Sequence, residues 1–206
     1  MPPGKSLYAV HPSVEMVRKS LAALHSKTGR SLEDWVALVK KSGPKTEKER
    51  RDWLVKTHGI GSNSATWIAE RAEGKGGDTD SPEAYLRAAV RYVDGMFAGK
   101  ESLLPLYDEL LRLALGLGGD VKACPCQTIV PLYRNHVFAQ IKPATRTRID
   151  LGFALGAREP RGRLIDTGGF AKKDRITHRI PLSSPAEIDD EVKRWLRVAY
   201  DEDAAS

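Results

Sequence analysis

Cysteine is scarce, with two residues in 206, and Cys124 and Cys126 sit too close together for an easy bridge along a strand. That scarcity excludes a disulfide-stapled scaffold and a zinc site closed by cysteines alone. No apolar run approaches the roughly 20 residues that a membrane span needs. No apolar signal core follows the opening Met-Pro-Pro-Gly-Lys. The expectation is a soluble protein of the cytoplasm that meets no membrane. Aromatic residues make up only 7%. The phosphate-binding loop, G-x-S-x-G and H-E-x-x-H patterns are all missing, so nothing points to the enzyme classes that carry them. What is present is ordinary globular composition, 41% hydrophobic and 29% charged, with a mean hydropathy of −0.40. Thirty-three Lys and Arg face 27 Asp and Glu, a formal charge of +6, which favours anionic partners.

The clearest boundary is Gly74-Lys75-Gly76-Gly77-Asp78-Thr79-Asp80-Ser81, which reads as a flexible linker over 74–81. It divides the chain into a helical domain, 1–73, and a second domain, 82–206. Residues 1–80 carry a net charge of +4 and residues 81–206 a net +2. In the first part, Val14, Val17, Leu21 and Leu24 form one helical stripe behind Pro12. Ser31 caps a helix carrying Leu32, Trp35, Val36 and Val39. Thr46 with Glu49 is a capping box for a third helix. A fourth runs from Ser62 or Asn63 to Arg71. In the second part, helices start at Ser81-Pro82-Glu83 and span Leu103 to Leu117. Short β-type runs follow at Val121–Cys126, Thr128–Tyr133, Val137–Ile141, Arg148–Ala154 and Ile176–Leu182. The alternation in Arg148-Ile149-Asp150-Leu151 predicts one wet face. Ser184, Pro185 and Glu187 predict the start of a last helix bearing Ile188, Val192, Trp195, Leu196 and Ala199. The fold class is therefore α+β: a small helical bundle followed by an antiparallel sheet packed against helices.

Two basic constellations stand out. Gly59-Ile60-Gly61-Ser62-Asn63 looks like the turn of a helix-hairpin-helix element, whose glycines let backbone approach a phosphate and whose second helix offers its first amides. Lys45, Lys48, Arg50, Arg51 and Lys56 lie nearby in sequence. Two features depart from that element: no cation follows the second glycine, and His58 precedes the first. The alternative is a corner whose glycines only permit packing. The second constellation spans residues 139–179, whose ten cations and four anions give +6. It includes Lys142, Arg146, Arg148 and Arg175, suited to paired contacts with phosphate or carboxylate, with Tyr133, Phe138 and Phe170 available for stacking. The alternative there is a solvated loop. Cys124, Cys126, His136 and His178 could furnish a zinc set, but the cysteine spacing is too short. They read as buried small hydrophobes, and no metal or cofactor is expected. Asp120 with Gln140-Ile141-Lys142 loosely matches a metal-dependent nuclease core, with glutamine where a carboxylate belongs.

The residues also support a resemblance. Ser31-Leu32-Glu33-Asp34-Trp35, Lys41 to Thr46, Glu49-Arg50, Trp53-Leu54 and His58 to Gly61 resemble the bacterial domain-of-unknown-function family 4287. Tyr133-Arg134, Phe138 to Ile141, Arg148 to Gly152, Thr177 to Ile180 and the helix end from Trp195 to Tyr200 resemble domain-of-unknown-function family 5655. The resemblance covers residues 30–203 and supplies no catalytic residues. It implies a link to nucleic acid only through similar domains attached to restriction-type and other defence-related proteins. The leading expectation is a non-enzymatic protein that holds nucleic-acid phosphates through Lys45, Lys48, Gly59, Gly61, Ser62, Asn63, Lys142, Arg146, Arg148 and Arg175. The rival is a module for a small anionic ligand or nucleotide, using Tyr133, Arg146 and Arg148. A divalent-metal nuclease is third.

Overall fold

The computed structural model describes residues 7–204. In chain order these form α1 (Ser13–Ala22), α2 (Leu24–Thr28), α3 (Leu32–Ser42), α4 (Glu47–His58), α5 (Ser62–Ala72), α6 (Pro82–Phe97) and α7 (Leu104–Leu115). Then come β1 (Lys122–Ala123), β2 (Val130–Tyr133), β3 (Val137–Pro143), β4 (Ile149–Phe153), β5 (Ile165–Asp166), β6 (His178–Leu182) and α8 (Asp190–Ala204). The class is α+β. Two compact units result. One is Val10–Arg87; the other runs from Ala88 onward and includes the segment ending at Ala9. The division falls within α6. No helix among the described residues is long and apolar enough to cross a membrane.

In the helical unit, Leu24, Trp35, Val39, Leu54, Ile60, Ala65 and Ile68 form the core. The expected Thr46–Glu49 capping box opens α4, and the expected Ser31 cap of α3 is itself a full capping box, closed by Asp34. The stripe expected on one first helix is shared by α1 and α2, because the Ala23 amide turns back onto Lys19 and Leu21 carbonyls and closes α1 early. Residues 74–81, expected as a linker, are bonded to their surroundings. Lys75 reaches Glu47 at 3.2 Å and Glu73 at 2.7 Å, and Arg71 pairs with Asp80. Gly76 has φ +74, a left-handed conformation that glycine adopts without the strain a side chain would bring.

The other unit is built on one six-stranded sheet of order β1-β2-β3-β4-β6-β5, antiparallel throughout. Register places Ile141 opposite Leu151 and Leu151 opposite Ile180, with Ala139 opposite Phe153 and Ile149 opposite Leu182. All of these are buried. Because strand side chains alternate, they line one face, and each of the larger ones stabilises the fold by roughly 1.5–3 kcal/mol through burial. Leu106, Tyr107, Leu110 and Leu111 of α7 and Val192, Trp195, Leu196 and Ala199 of α8 complete that core. The opposite face carries Gln140, Lys142, Asp150 and Arg179. Strand β5 was not expected from the sequence; it is two residues long and pairs only with β6. The last helix also starts later than its signals suggest. Ser184 makes no side-chain cap, Pro185–Glu187 form a single 3-10 turn, and Ile188 leaves the helical region. Asp189 supplies the real cap, its Oδ1 accepting from the Val192 amide at 3.0 Å.

The far end of α8 is fixed by one carboxylate. Asp203, whose side chain is 1% exposed, accepts from the Asn135 amide at 2.8 Å and the His136 amide at 2.9 Å. Arg175 donates to its other oxygen, and the Asn135 amide group donates to the Asp203 carbonyl at 3.2 Å. Thus α8 is pinned to the β2–β3 turn and to the segment before β6. Asp203→Ala strands two backbone donors and should cost about 2–4 kcal/mol in urea unfolding. Arg175→Ala should cost about 1 kcal/mol or less, because its half-exposed guanidinium is replaceable by water. The reverse order would remove Asp203 from this role.

Candidate nucleic-acid interface

The hairpin that joins α4 to α5 is built by two glycines with different tasks. Gly59 ends α4 at φ +65. Its amide reaches the Val55 carbonyl at 3.2 Å, and the Ile60 amide reaches the Leu54 carbonyl at 3.1 Å, so a left-handed glycine cap satisfies two of the last carbonyls of α4. Ile60, 2% exposed, drops into the core as the apolar partner of that turn. Gly61 has an ordinary φ of −60 and stands at the N-cap of α5, where no side chain accepts from the first amides and no acidic residue lies in the first turn. Helices α3 and α4 cap their own starts with Ser31 and Thr46; α5 does not. A Cβ at Gly59 or Gly61 would meet nothing within 4 Å, so both glycines face open space. Gly59, Gly61, Ser62 and Asn63 are all exposed. His58, the residue that departs from the hairpin pattern, packs edge-on against Trp53 at 4.4 Å and Trp35 at 5.2 Å. Its ring thus fills the place of an apolar side chain.

Lys56 lies in the last turn of α4, next to this hairpin, and is exposed. Lys45 and Lys48 are exposed too but lie at the other end of α4. At 1.5 Å per residue they are roughly 15 Å or more from Gly59. The structure therefore gathers Gly59, Gly61, Ser62 and Asn63 and leaves Lys45 and Lys48 outside the group.

The four cations nominated on the sheet unit are also divided. Arg148 Nε lies 2.9 Å from Asp150, and Arg179 approaches the second Asp150 oxygen at 3.0 Å, so that carboxylate sits between two guanidinium groups on the polar face. Lys142 is the register partner of Asp150, and Arg146 is in the exposed β3–β4 turn; neither makes an ion pair among the described residues. Arg175 is held by Asp203 and by the Val137 carbonyl at 2.9 Å. That is the opposite end of β3, roughly 17 Å from Lys142 at strand spacing. Arg148 and Arg175 thus already have carboxylate partners; that of Arg175 could not be read from the sequence, because Asp203 is 28 residues away.

The residues of the nuclease and zinc readings do not converge. Asp120 accepts from the Tyr200 hydroxyl and Arg134 Nε, both at 2.7 Å. The Tyr200 hydrogen bond, followed by that of Arg134, holds the Asp120 carboxyl below its ordinary range. The Arg134 guanidinium lies 4.0 Å over the Tyr200 ring. Asp120 precedes β1, whereas Gln140 and Lys142 lie along β3. His178 is fixed by the Arg158 carbonyl and Thr177, each at 2.8 Å. His136 lies 3.4 Å from Asp203. Burial pushes the Cys124 thiol up to about 12 and raises that of Cys126, which keeps both protonated at neutral pH. Among the described residues, no group of three or more His, Cys, Asp and Glu side chains is placed to hold a metal ion.

A family model described as Domain of unknown function (DUF5655) matches residues 93–203, and one described as Domain of unknown function (DUF4287) matches residues 17–74. Their order is that of the two resemblances read from the residues. No curated protein and no solved structure matches the chain.

The two glycines should separate in mutation. Gly59→Ala forces a side chain into the left-handed region and should lower stability by about 1 kcal/mol in chemical unfolding. Gly61→Ala should stay within about 0.5 kcal/mol, since the weaker cap and the stiffer unfolded chain offset each other. Equal losses would contradict the division of labour between them. For Asp120, a depressed carboxyl contributes stability that is present above its unfolded pKa and lost as pH falls through the lower folded value. Below about pH 4, unfolding stability should therefore fall more steeply in the unmodified protein than in Asp120→Asn. Parallel curves would show that the Tyr200 and Arg134 bonds do not favour the charged form.

Proposed function

The chain belongs to the family described as Domain of unknown function (DUF5655); since that description assigns no activity, the reading rests on geometry, and we propose that this is a non-enzymatic protein that binds the phosphate backbone of DNA through its α4–α5 hairpin. The observation that carries the reading is the Gly59-Ile60-Gly61 turn. It buries Ile60 while presenting two glycines and an uncapped helix start to solvent. Amides at a helix start attract anions through hydrogen bonding and the helix dipole, and they do so without reading sequence. Lys56 adds a point charge beside them. Lys142 and Arg146, neither of them ion-paired, provide a further phosphate-seeking patch on the other unit, while Arg148 and Arg175 act mainly within the fold. The reading carries with it a cytoplasmic location, where nucleic acid and a chain with two cysteines both belong.

Anisotropy titration of a labelled duplex across a salt series tests this. Binding should weaken with salt, with a slope in log affinity against log salt of about −0.9 per phosphate contacted. Lys56→Ala should reduce that slope by about one, Gly61→Ala should weaken binding at unchanged stability, and the double variant Lys45→Ala with Lys48→Ala should leave the slope as it was. Failure to bind at low ionic strength, or a slope near zero, would sink the proposal.

A further inference from the structure

We propose that the depression beside the β5–β6 connection is a separate ligand site for a nucleoside phosphate, with the base stacked on Phe170, the phosphate held by Lys173 and the outer edge of Arg175, and the ribose hydroxyls donated to Asp174. The depression has a volume of about 590 Å³ and is lined by Ala154, Phe170, Lys173, Asp174, Arg175 and Thr177, among others. That volume lies within the range of small-molecule sites, roughly 300–1,000 Å³.

Three observations make it a built site. First, Phe170 is 58% exposed, although a large apolar ring is ordinarily withdrawn from water. Nor is it the tip of a loose loop. The Lys172 and Asp174 amides both bond to the Gly169 carbonyl at 3.0 and 2.9 Å, the Lys173 amide bonds to Phe170 at 3.0 Å, and Thr167 bonds to Thr177 at 2.9 Å. Gly169 is buried, and a Cβ there would come 2.4 Å from the Ile176 carbonyl. The backbone that carries the ring is therefore ordered and presents it to solvent, as a stacking platform needs.

Second, Lys173 has φ +61, and every other positive-φ position among the described residues, nine in all, is glycine. A side chain there costs about 1 kcal/mol relative to glycine. A lysine retained in that conformation places an ammonium in the depression three residues after the ring. Third, the charged groups divide as a nucleotide does. Arg175 donates through Nε and one terminal nitrogen to Val137 and Asp203, which fixes its plane, and it lines the depression with one terminal nitrogen not used by those bonds, suited to a phosphate. Asp174 is acceptor-only when ionised and suits the ribose diol. The site uses none of the hairpin residues, so the two readings fail separately.

Calorimetric titration of the full chain with adenosine monophosphate, ribose 5-phosphate and inorganic phosphate tests the assignment. Adenosine monophosphate should saturate a single site. Ribose 5-phosphate should bind roughly five- to a hundredfold more weakly, and Phe170→Ala should cost the nucleotide a similar factor. Phe170→Trp should restore binding, and Lys56→Ala should leave it unchanged. Phe170 is exposed, so its alanine variant should keep the far-ultraviolet spectrum of the parent. A short oligoribonucleotide that binds more tightly than the mononucleotide identifies a strand as the source of the nucleotide, whereas equal affinity identifies the free molecule. Absence of saturation at millimolar adenosine monophosphate, unaltered binding by Phe170→Ala, or equal affinity for ribose 5-phosphate would overturn the proposal.

Discussion

The sheet unit depends on one desolvated carboxylate. Asp203 stands in the last turn of α8, where the helix dipole disfavours negative charge, and burying an unpaired carboxylate there would cost several kcal/mol. It is tolerated because two backbone amides of the β2–β3 turn and the Arg175 guanidinium converge on it. That convergence sets the end of α8 against the sheet and puts Tyr200, one turn earlier, within reach of Asp120, Arg134 and Phe138. It also fixes Arg175, and with it the segment that carries Phe170 and Lys173 into β6.

Charge in this protein divides by partner more than by position along the chain. The excess of +6 in residues 139–179 suggests a broad basic surface, yet much of it is consumed internally. Arg148 and Arg179 share Asp150, Arg163 meets Asp189 and Glu187, Arg158 meets Glu202, and Arg175 meets Asp203. Several of those acids lie in α8 or just before it, which explains how a basic segment and an acidic helix end form one unit. What is left for a phosphate is smaller: Lys142 and Arg146 at one end of β3, Arg161, Lys172 and Lys173 in the segments flanking β5, and Lys56 at the hairpin.

Much of the helical architecture was legible because helix signals are local. Ser31 and the Thr46–Glu49 box act over three residues and stand where the sequence placed them, and Asp34 adds the second half of a box at Ser31. The hairpin was legible for the same reason, since Gly59, Ile60 and Gly61 are contiguous and only glycine serves cheaply at φ +65. Local signals also misled. Ser184, Pro185 and Glu187 have the composition of a helix start, but Asp189 caps α8 because the chain extends at Ile188. Strand β5 has two residues and no periodicity to read.

By itself the sequence determined the class and order of the elements, the apolar faces of helices and strands, and the exposed glycine turn, all of which follow from periodicity and from the conformational freedom of single residues. Tertiary structure alone decided which arginines are spoken for, that Asp120 serves Tyr200 and Arg134, and that Phe170 and Lys173 line one depression. The partners involved are 28, 68 and 80 residues apart for Arg175 with Asp203, Asn135 with Asp203 and Asp120 with Tyr200. Ion pairs and buried hydrogen bonds depend on distances of a few ångströms in space, and no repeat along the chain encodes them.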